Sequence, residues 1–152
     1  MARRAVTVSH TVHVNRSPDE VFDYTQDYST RMDWDSTVKS AKILSEEPRR
    51  VQVVMEGIGP LVIEYKLFRR GDRTSAAFSD VGSRLIAAGG GSWSYEGREG
   101  GTDWTETSTL EFRSNVVGRL FAPILRRNMT TLTVKAMEKA KKIMESSTST
   151  ET

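Results

Sequence analysis

Apolar and polar residues alternate with a period of two near the start of the chain, from Ala5 to Asn15. Successive side chains of a β-strand point to opposite faces, so this alternation predicts a half-buried strand. Thr, Ser and His alternate along the outer face. The residues on the inner face are Val6, Val8, His10, Val12 and Val14.

A helix start follows the first strand. Ser17 can cap the helix, Pro18 suits its first position, and Glu20 lies three residues after Ser17, as in a capping box. A second short helix or turn is predicted between Thr30 and Asp35, where it presents Trp34. Both helices come before a long run of β-type sequence.

Short β-type segments separated by glycine and proline turn signals begin at Val38 and predict an antiparallel meander. Three consecutive glycines, Gly89 to Gly91, interrupt the sixth strand of the chain and predict a bulge, a bend or a close approach of another backbone. The predicted strands of the meander are Val38–Glu46, Val51–Glu56, Leu61–Arg70, Ser75–Val81, Arg84–Tyr95 and Thr102–Phe112.

The chain closes with apolar residues at steps of three and four from about Arg119 to Glu145, which predicts one long amphipathic helix. Basic side chains lie mostly on its other face. Residues 146–152 hold only Ser, Thr and Glu, and we expect a disordered tail there. Residues 1–145 are expected to form a single domain.

The composition excludes several kinds of site. The chain of 152 residues has no cysteine, which excludes disulfides and Cys-ligated metals. Its two histidines fall on opposite faces of the first strand, so no metal site is predicted, and no motif indicates a cofactor. The start of the chain lacks a signal-peptide pattern and no stretch reaches the ~18 apolar residues of a membrane span. We therefore expect a cytoplasmic protein.

Several short sequence pieces carry a family resemblance. In their order along the chain, they make it resemble the polyketide cyclase/dehydrase and lipid-transport family (SRPBCC), within the START-related, Bet v 1-like superfamily. The resemblance implies an α+β helix-grip fold. In that fold a curved seven-stranded antiparallel sheet surrounds a long C-terminal helix, with two short helices after strand 1 and a ligand cavity inside. The pieces are Ser17-Pro18-Asp19-Glu20-Val21-Phe22, Asp27, Trp34-Asp35 with Val38, Trp93-Ser94-Tyr95 and Gly101-Thr102.

The resemblance also limits what can be said about function. Known members bind sterols, lipids, plant hormones or polyketides, and some catalyse aromatisation or cyclisation. They share no catalytic motif, so no catalytic residue carries over. The leading hypothesis is binding or transport of a hydrophobic or amphipathic small molecule. The alternatives are an aromatase/cyclase or dehydratase type of enzyme, and an interaction module whose cavity is nearly closed.

Candidate cavity walls follow from the predicted faces, although each of these side chains can equally be ordinary core. On the helix side the candidates are Phe121, Leu125 and Met129, and Trp34 is placed at the mouth. On the sheet side they are Met55, Tyr65, Phe78, Trp93 and Trp104.

The candidates for acid–base chemistry are His10, Tyr65 and Glu106. His10 shares a face with four valines, and Glu106 shares one with Trp104, where burial would raise its pKa. The alternatives are a satisfied core histidine, a satisfied core tyrosine, and a one-residue register shift that moves Glu106 into solvent.

The basic face of the last helix allows either a transient contact with an anionic membrane surface or simple solubility. No pattern of interleaved aromatic and basic residues indicates a nucleic-acid partner. The oligomeric state stays open.

Overall fold

Seven antiparallel strands form one sheet in the computed structural model, which describes residues 4–71 and 73–146. The strand order is β1-β7-β6-β5-β4-β3-β2, so every neighbour is consecutive in the chain except that β1 pairs with β7. The helix-grip arrangement that the resemblance implied is confirmed. The strands are β1 Ala5–Val14, β2 Val38–Glu46, β3 Arg49–Met55, β4 Gly59–Leu67, β5 Thr74–Ser79, β6 Ile86–Arg98 and β7 Gly101–Phe112.

Two helices and one 3₁₀ turn complete the fold of the described residues. Helix α1 spans Pro18–Thr25 and begins with the predicted capping box, in which the Ser17 hydroxyl accepts from the Glu20 N–H and the Glu20 carboxylate accepts from the Ser17 N–H. The predicted second helix is a single 3₁₀ turn, Arg31–Asp33.

Helix α2 spans Asn115–Ser146 and so begins earlier than predicted. The Ser114 hydroxyl accepts a hydrogen bond from the Val117 N–H (3.3 Å) and helps to start the helix there. The remainder of the predicted disordered tail, residues 147–152, lies outside the described residues. None of the helices within the described part of the chain is long and apolar enough to cross a membrane. The cytoplasmic location stays a prediction.

Tight turns extend some strands beyond their predicted ends, whereas β4 and β5 end earlier than predicted, at Leu67 and Ser79, and β6 begins later, at Ile86. Strand β3 begins at Arg49, which pairs with Glu46, rather than at Val51. In the last hairpin, Arg98 pairs with Gly101. Glu99 and the glycine after it both have positive φ, at 35° and 77°, so a two-residue turn carries the strands beyond their apolar pattern.

The core lies between the inner face of the sheet and the C-terminal half of α2. Ala136, Met137, Ala140 and Met144 of that half are buried, and the α2 core contacts include β1 valines. In the first half of α2 only Gly118 and Ala122 are buried. The sheet is therefore covered tightly at one end of the helix and loosely at the other.

The three glycines of β6 lie where neighbouring backbones come close. A Cβ on Gly89 would lie 2.5 Å from the Thr109 carbonyl oxygen and 2.8 Å from the Phe78 ring. A Cβ on Gly90 would lie 2.7 Å from the carbonyl oxygen of Ala76. The strand also shifts register between Ile86 and Ala88. The predicted close approach of another backbone is confirmed at Gly89 and Gly90, and the register shift lies just before them.

We expect Gly89→Ala to lower the free energy of unfolding by about 1–3 kcal/mol, because the new methyl group meets backbone that cannot retreat. Gly97→Ala in the same strand is the matched control, since its Cβ would meet only the ring of Pro18 at 3.5 Å. Urea unfolding of both variants measures the difference. Equal stability of the two variants would contradict the close approach.

Candidate functional site

A cavity of about 360 Å³ lies between the inner face of the sheet and the middle of α2. It reaches the surface between the β3–β4 turn, at the exposed Glu56 and Gly57, and the exposed Asn128 of α2. The sheet side is lined by Val38, Met55, Ile63, Phe78, Trp93 and Leu110. The helix side is lined by Leu125, Asn128, Met129, Leu132, Thr133 and Ala136.

Small residues on three elements help to leave this space open. Gly91 of β6, Ser108 of β7 and Ala136 of α2 all border the cavity. Each has little or no side chain to fill the volume between sheet and helix. The space between α2 and the loosely covered half of the sheet is therefore a cavity with mostly apolar walls.

One end of the cavity is polar and is built around Arg31, which is only 4% exposed. The Arg31 Nε donates to the Asp35 carboxylate (2.9 Å), and its Nη1 donates to the carbonyl oxygen of Thr25 (3.2 Å). The guanidinium also lies over the rings of Tyr28 (5.1 Å) and Trp34 (4.8 Å). These contacts fix one face of the guanidinium and leave Nη2 directed towards Glu106.

Glu106 is the second polar group at this end and is 8% exposed. Its Oε2 accepts a hydrogen bond from the Trp93 indole N–H (2.7 Å) and lies 3.8 Å from Arg31 Nη2. Burial raises the pKa of Glu106, and the nearby charge of Asp35 raises it further. The charge of Arg31 and the hydrogen bond from Trp93 lower this pKa, but the net shift is upward. A carboxyl with a raised pKa can donate a hydrogen bond as well as accept one.

A hydrogen-bonded network of tyrosines lies behind the cavity wall. The Tyr65 hydroxyl donates to Gln26 Oε1 (2.9 Å) and lies 2.9 Å from the Tyr28 hydroxyl. The Tyr65 ring stacks on Trp93 with centroids 5.8 Å apart. Burial raises the pKa of Tyr65 well above its usual value. Tyr65 therefore supports the cavity wall through Trp93 and is not itself among the cavity's lining residues.

The cavity brings together about half of the residues predicted to line it: Met55, Phe78, Trp93, Leu125 and Met129. Glu106, a candidate for acid–base chemistry, lies there as well. Their contact with a ligand stays a prediction.

Three other predicted positions need correction. Trp34 is not at the mouth but is 2% exposed, packed edge-to-face on Trp104 (5.5 Å). Trp104 faces inward as expected, but towards the filled end of the core with Val12 and Met137. Phe121 is 46% exposed because α2 turns it away from the sheet.

His10 points inward as predicted but does not line the cavity. It lies opposite Glu106 on β7, and its Nε2 is 3.9 Å from the carboxylate of Glu138 on α2. The His10 ring therefore faces α2 outside the cavity, and the geometry does not support a role for His10 as an acid or base on a cavity ligand. Tyr65, behind the wall, lacks such access as well.

Sequence reasoning missed Arg31 and Asp35. Their spacing of four residues, with Tyr28 and Trp34 close by in the chain, was the available signal, since a charged pair at this spacing can form one buried unit. It also missed Asn128 and Thr133, which are polar residues near the apolar face of α2. Polar side chains among core-facing positions often mark a site rather than a core.

The chain belongs to the polyketide cyclase / dehydrase and lipid transport family, whose model matches residues 5–145. A search of curated protein sequences finds no match to it.

Solved structures of the same fold include TTHA0849 from Thermus thermophilus, with 16% identity, a TM-score of 0.75, and coverage of 94% of this chain and 99% of that one. The Zhui aromatase/cyclase from Streptomyces sp. R1128 has 16% identity, a TM-score of 0.72, and coverage of 96% and 99%. A START superfamily protein from Mycobacterium smegmatis has 16% identity, a TM-score of 0.72, and coverage of 91% and 96%. At these identities the likeness concerns the fold.

We expect the stability of the protein to depend on pH through Glu106. Because its folded-state pKa is raised, protonation favours the folded state. This contribution is fully present below the unfolded-state pKa of about 4.3 and is lost as the pH rises through the folded-state pKa. As the pH rises from the unfolded-state pKa through the folded-state pKa, the wild-type melting temperature should fall relative to that of Glu106→Gln, whose side chain stays neutral. Thermal melts of both proteins at a series of pH values across this interval test the expectation.

Glu111→Gln is the matched control for the pH experiment, because Glu111 lies on the same strand but on the outer face, opposite Ala5. This variant should follow the wild type. Parallel curves for the wild type and Glu106→Gln would show that the carboxyl of Glu106 does not respond to its burial.

Proposed function

We propose that this protein binds or transports a hydrophobic or amphipathic small molecule, a lipid, sterol-like or polyketide compound, in the cavity beneath α2. The observation that carries the proposal is the combination of mostly apolar walls with one polar end at Arg31 and Glu106. Small-molecule sites typically have this composition, with a volume of ~300–1,000 Å³. The cavity, at about 360 Å³, lies in that range.

The charges at the polar end favour a neutral ligand group over an acid. Arg31 is already paired with Asp35, so this pair carries no net charge. The Arg31 Nη2 can donate a hydrogen bond to a carbonyl or hydroxyl oxygen, and the Glu106 carboxyl can donate a second one whenever it is protonated, which its raised pKa favours. A ligand carboxylate there would lie near two acidic side chains and would lose its hydration without gaining a free positive charge. We infer a ligand with a ketone, ester or hydroxyl end.

A test of the binding site begins with native mass spectrometry of gently purified protein. A discrete extra mass of a few hundred daltons (about the size such a cavity holds) that is lost on denaturation would support the proposal and give the ligand class. The proposal would be overturned if the purified protein carried no bound mass and also failed to bind added sterols, lipids and aromatic polyketides.

Met129→Trp locates the binding site, because the larger side chain fills the cavity from the helix side. We expect the affinity for the ligand, measured by titration, to fall roughly tenfold or more while the fold persists. Thr130→Trp, at the next and exposed position of α2, is the control and should bind as the wild type does. Unchanged affinity in a folded Met129→Trp protein would place the ligand elsewhere.

Glu106 favours a second candidate function, an aromatase/cyclase or dehydratase type of enzyme. Its carboxyl is buried, borders the cavity and has a raised pKa, which are the properties of a general acid beside a ligand carbonyl. The family includes polyketide cyclases, and the Zhui aromatase/cyclase has the same fold.

Glu106→Gln separates the two functions. A carrier should keep its ligand with a modest loss of affinity, because the amide still donates and accepts hydrogen bonds. An enzyme should lose ~10²-fold or more in rate. Ser108→Ala, which also borders the cavity, controls for small changes in shape. A turnover rate of a confirmed substrate that Glu106→Gln leaves unchanged would exclude Glu106 as the acid.

A further inference from the structure

The first half of α2 is apolar on the side that faces away from the sheet. Val116 is 72% exposed, Leu120 66% and Ile124 57%. Their spacing of four residues places them in one stripe along the helix. The buried residues of the same half, Gly118 and Ala122, lie on the opposite side. We call the exposed stripe, with its neighbour Phe121, the outer patch.

The charge around the outer patch has one sign. From residue 113 to residue 137 the chain contains five basic residues and no Asp or Glu, whereas the whole chain carries a net charge of only +2. Arg119, Arg126 and Arg127 are exposed on this half of α2. Within the described residues none of these three arginines forms an ion pair. Exposed apolar side chains bordered by free arginines are typical of helices that lie in a membrane interface.

We propose that the outer patch docks on an anionic lipid surface. The apolar stripe enters the boundary between headgroups and acyl chains, and the arginines contact the lipid phosphates. This inference goes beyond the proposed function, because it concerns the outside of α2 and stands whether or not the cavity holds a ligand.

Charge complementarity favours a lipid surface over a second copy of the chain. Two outer patches in contact would bring Arg119, Arg126 and Arg127 of each copy together. The same segment offers no carboxylate to neutralise them, and burial of unpaired like charges is unfavourable. An anionic membrane supplies many phosphates to the same side chains.

The position of the outer patch also relates it to the cavity. Leu125, Asn128 and Met129 of the same helix segment line the cavity on its inner side, and Asn128 borders the opening. A membrane that contacts the outer patch would therefore lie one helix diameter (about 10–12 Å) from the cavity.

Vesicle flotation tests the docking surface. The full-length protein is mixed at low salt either with phosphatidylcholine vesicles or with vesicles that also contain phosphatidylglycerol. We expect binding to the anionic vesicles and little to the neutral ones. Replacing Arg126 and Arg127 together by Ser should weaken binding roughly tenfold or more. Replacing Leu120 and Ile124 together by Ser should weaken it at every salt concentration, because burial of apolar area does not depend on screening.

Two paired variants serve as matched controls. Lys139→Ser with Lys142→Ser removes the same charge from the other half of α2. Ile43→Ser with Leu44→Ser removes exposed apolar side chains, 38% and 41% exposed, from β2. Both should bind anionic vesicles as the wild type does, and thermal melts should show that all four variants remain folded.

Three results would overturn the proposal. The first is that the wild type does not bind anionic vesicles. The second is that the lysine control loses as much vesicle binding as the variant of Arg126 and Arg127. The third is that the wild type is a dimer in solution and that substitution of Leu120 and Ile124 makes it a monomer.

Discussion

The buried guanidinium of Arg31 sets conditions that much of the surrounding structure has to meet. A full charge in an apolar interior costs several kcal/mol unless it is paired and hydrogen-bonded. Asp35 one helical turn later, the carbonyl oxygen of Thr25 and two aromatic rings meet this requirement. They fix the path of the chain from the end of α1 to the start of β2. The same guanidinium faces Glu106, so the polar end of the cavity is held in place before any ligand arrives.

The cavity and the tightly packed end of the protein depend on each other. At about 24 cal/mol per Å³, the value for engineered dry cavities, a void of about 360 Å³ would cost about 9 kcal/mol, a large part of the usual stability of 5–15 kcal/mol. Such a space is expected to hold water or a ligand, and its opening beside Asn128 permits both. The other half of α2 supplies the compensating core, where Met137 and Ala140 are fully buried against β1 and the pair of Trp34 and Trp104.

The fold was predictable because its signals are local. Alternation in β1, the capping box at Ser17 and the period of α2 each follow from neighbouring residues, and the family resemblance ordered them. The site was predictable only in part. Glu106 and Met129 followed from their faces, but which inward residues border open space depends on how closely α2 approaches the sheet, and no local pattern records that distance. Trp104 and Met55 are both inward by pattern, yet one lies in filled core and the other in the cavity wall.

The pairing of the first strand with the last has a kinetic consequence. Ala5 lies beside Glu111 and Val14 beside Thr102, so this ladder joins segments about a hundred residues apart. During synthesis β1 leaves the ribosome long before its partner exists and has to wait, while the β2-to-β7 meander can form from near neighbours. Closing such a long loop is slow compared with local pairing. The waiting strand is rich in valine and has an unpaired edge, which is a combination that favours association with other chains. The nascent chain is therefore most exposed to association with other chains between the synthesis of β1 and the synthesis of β7.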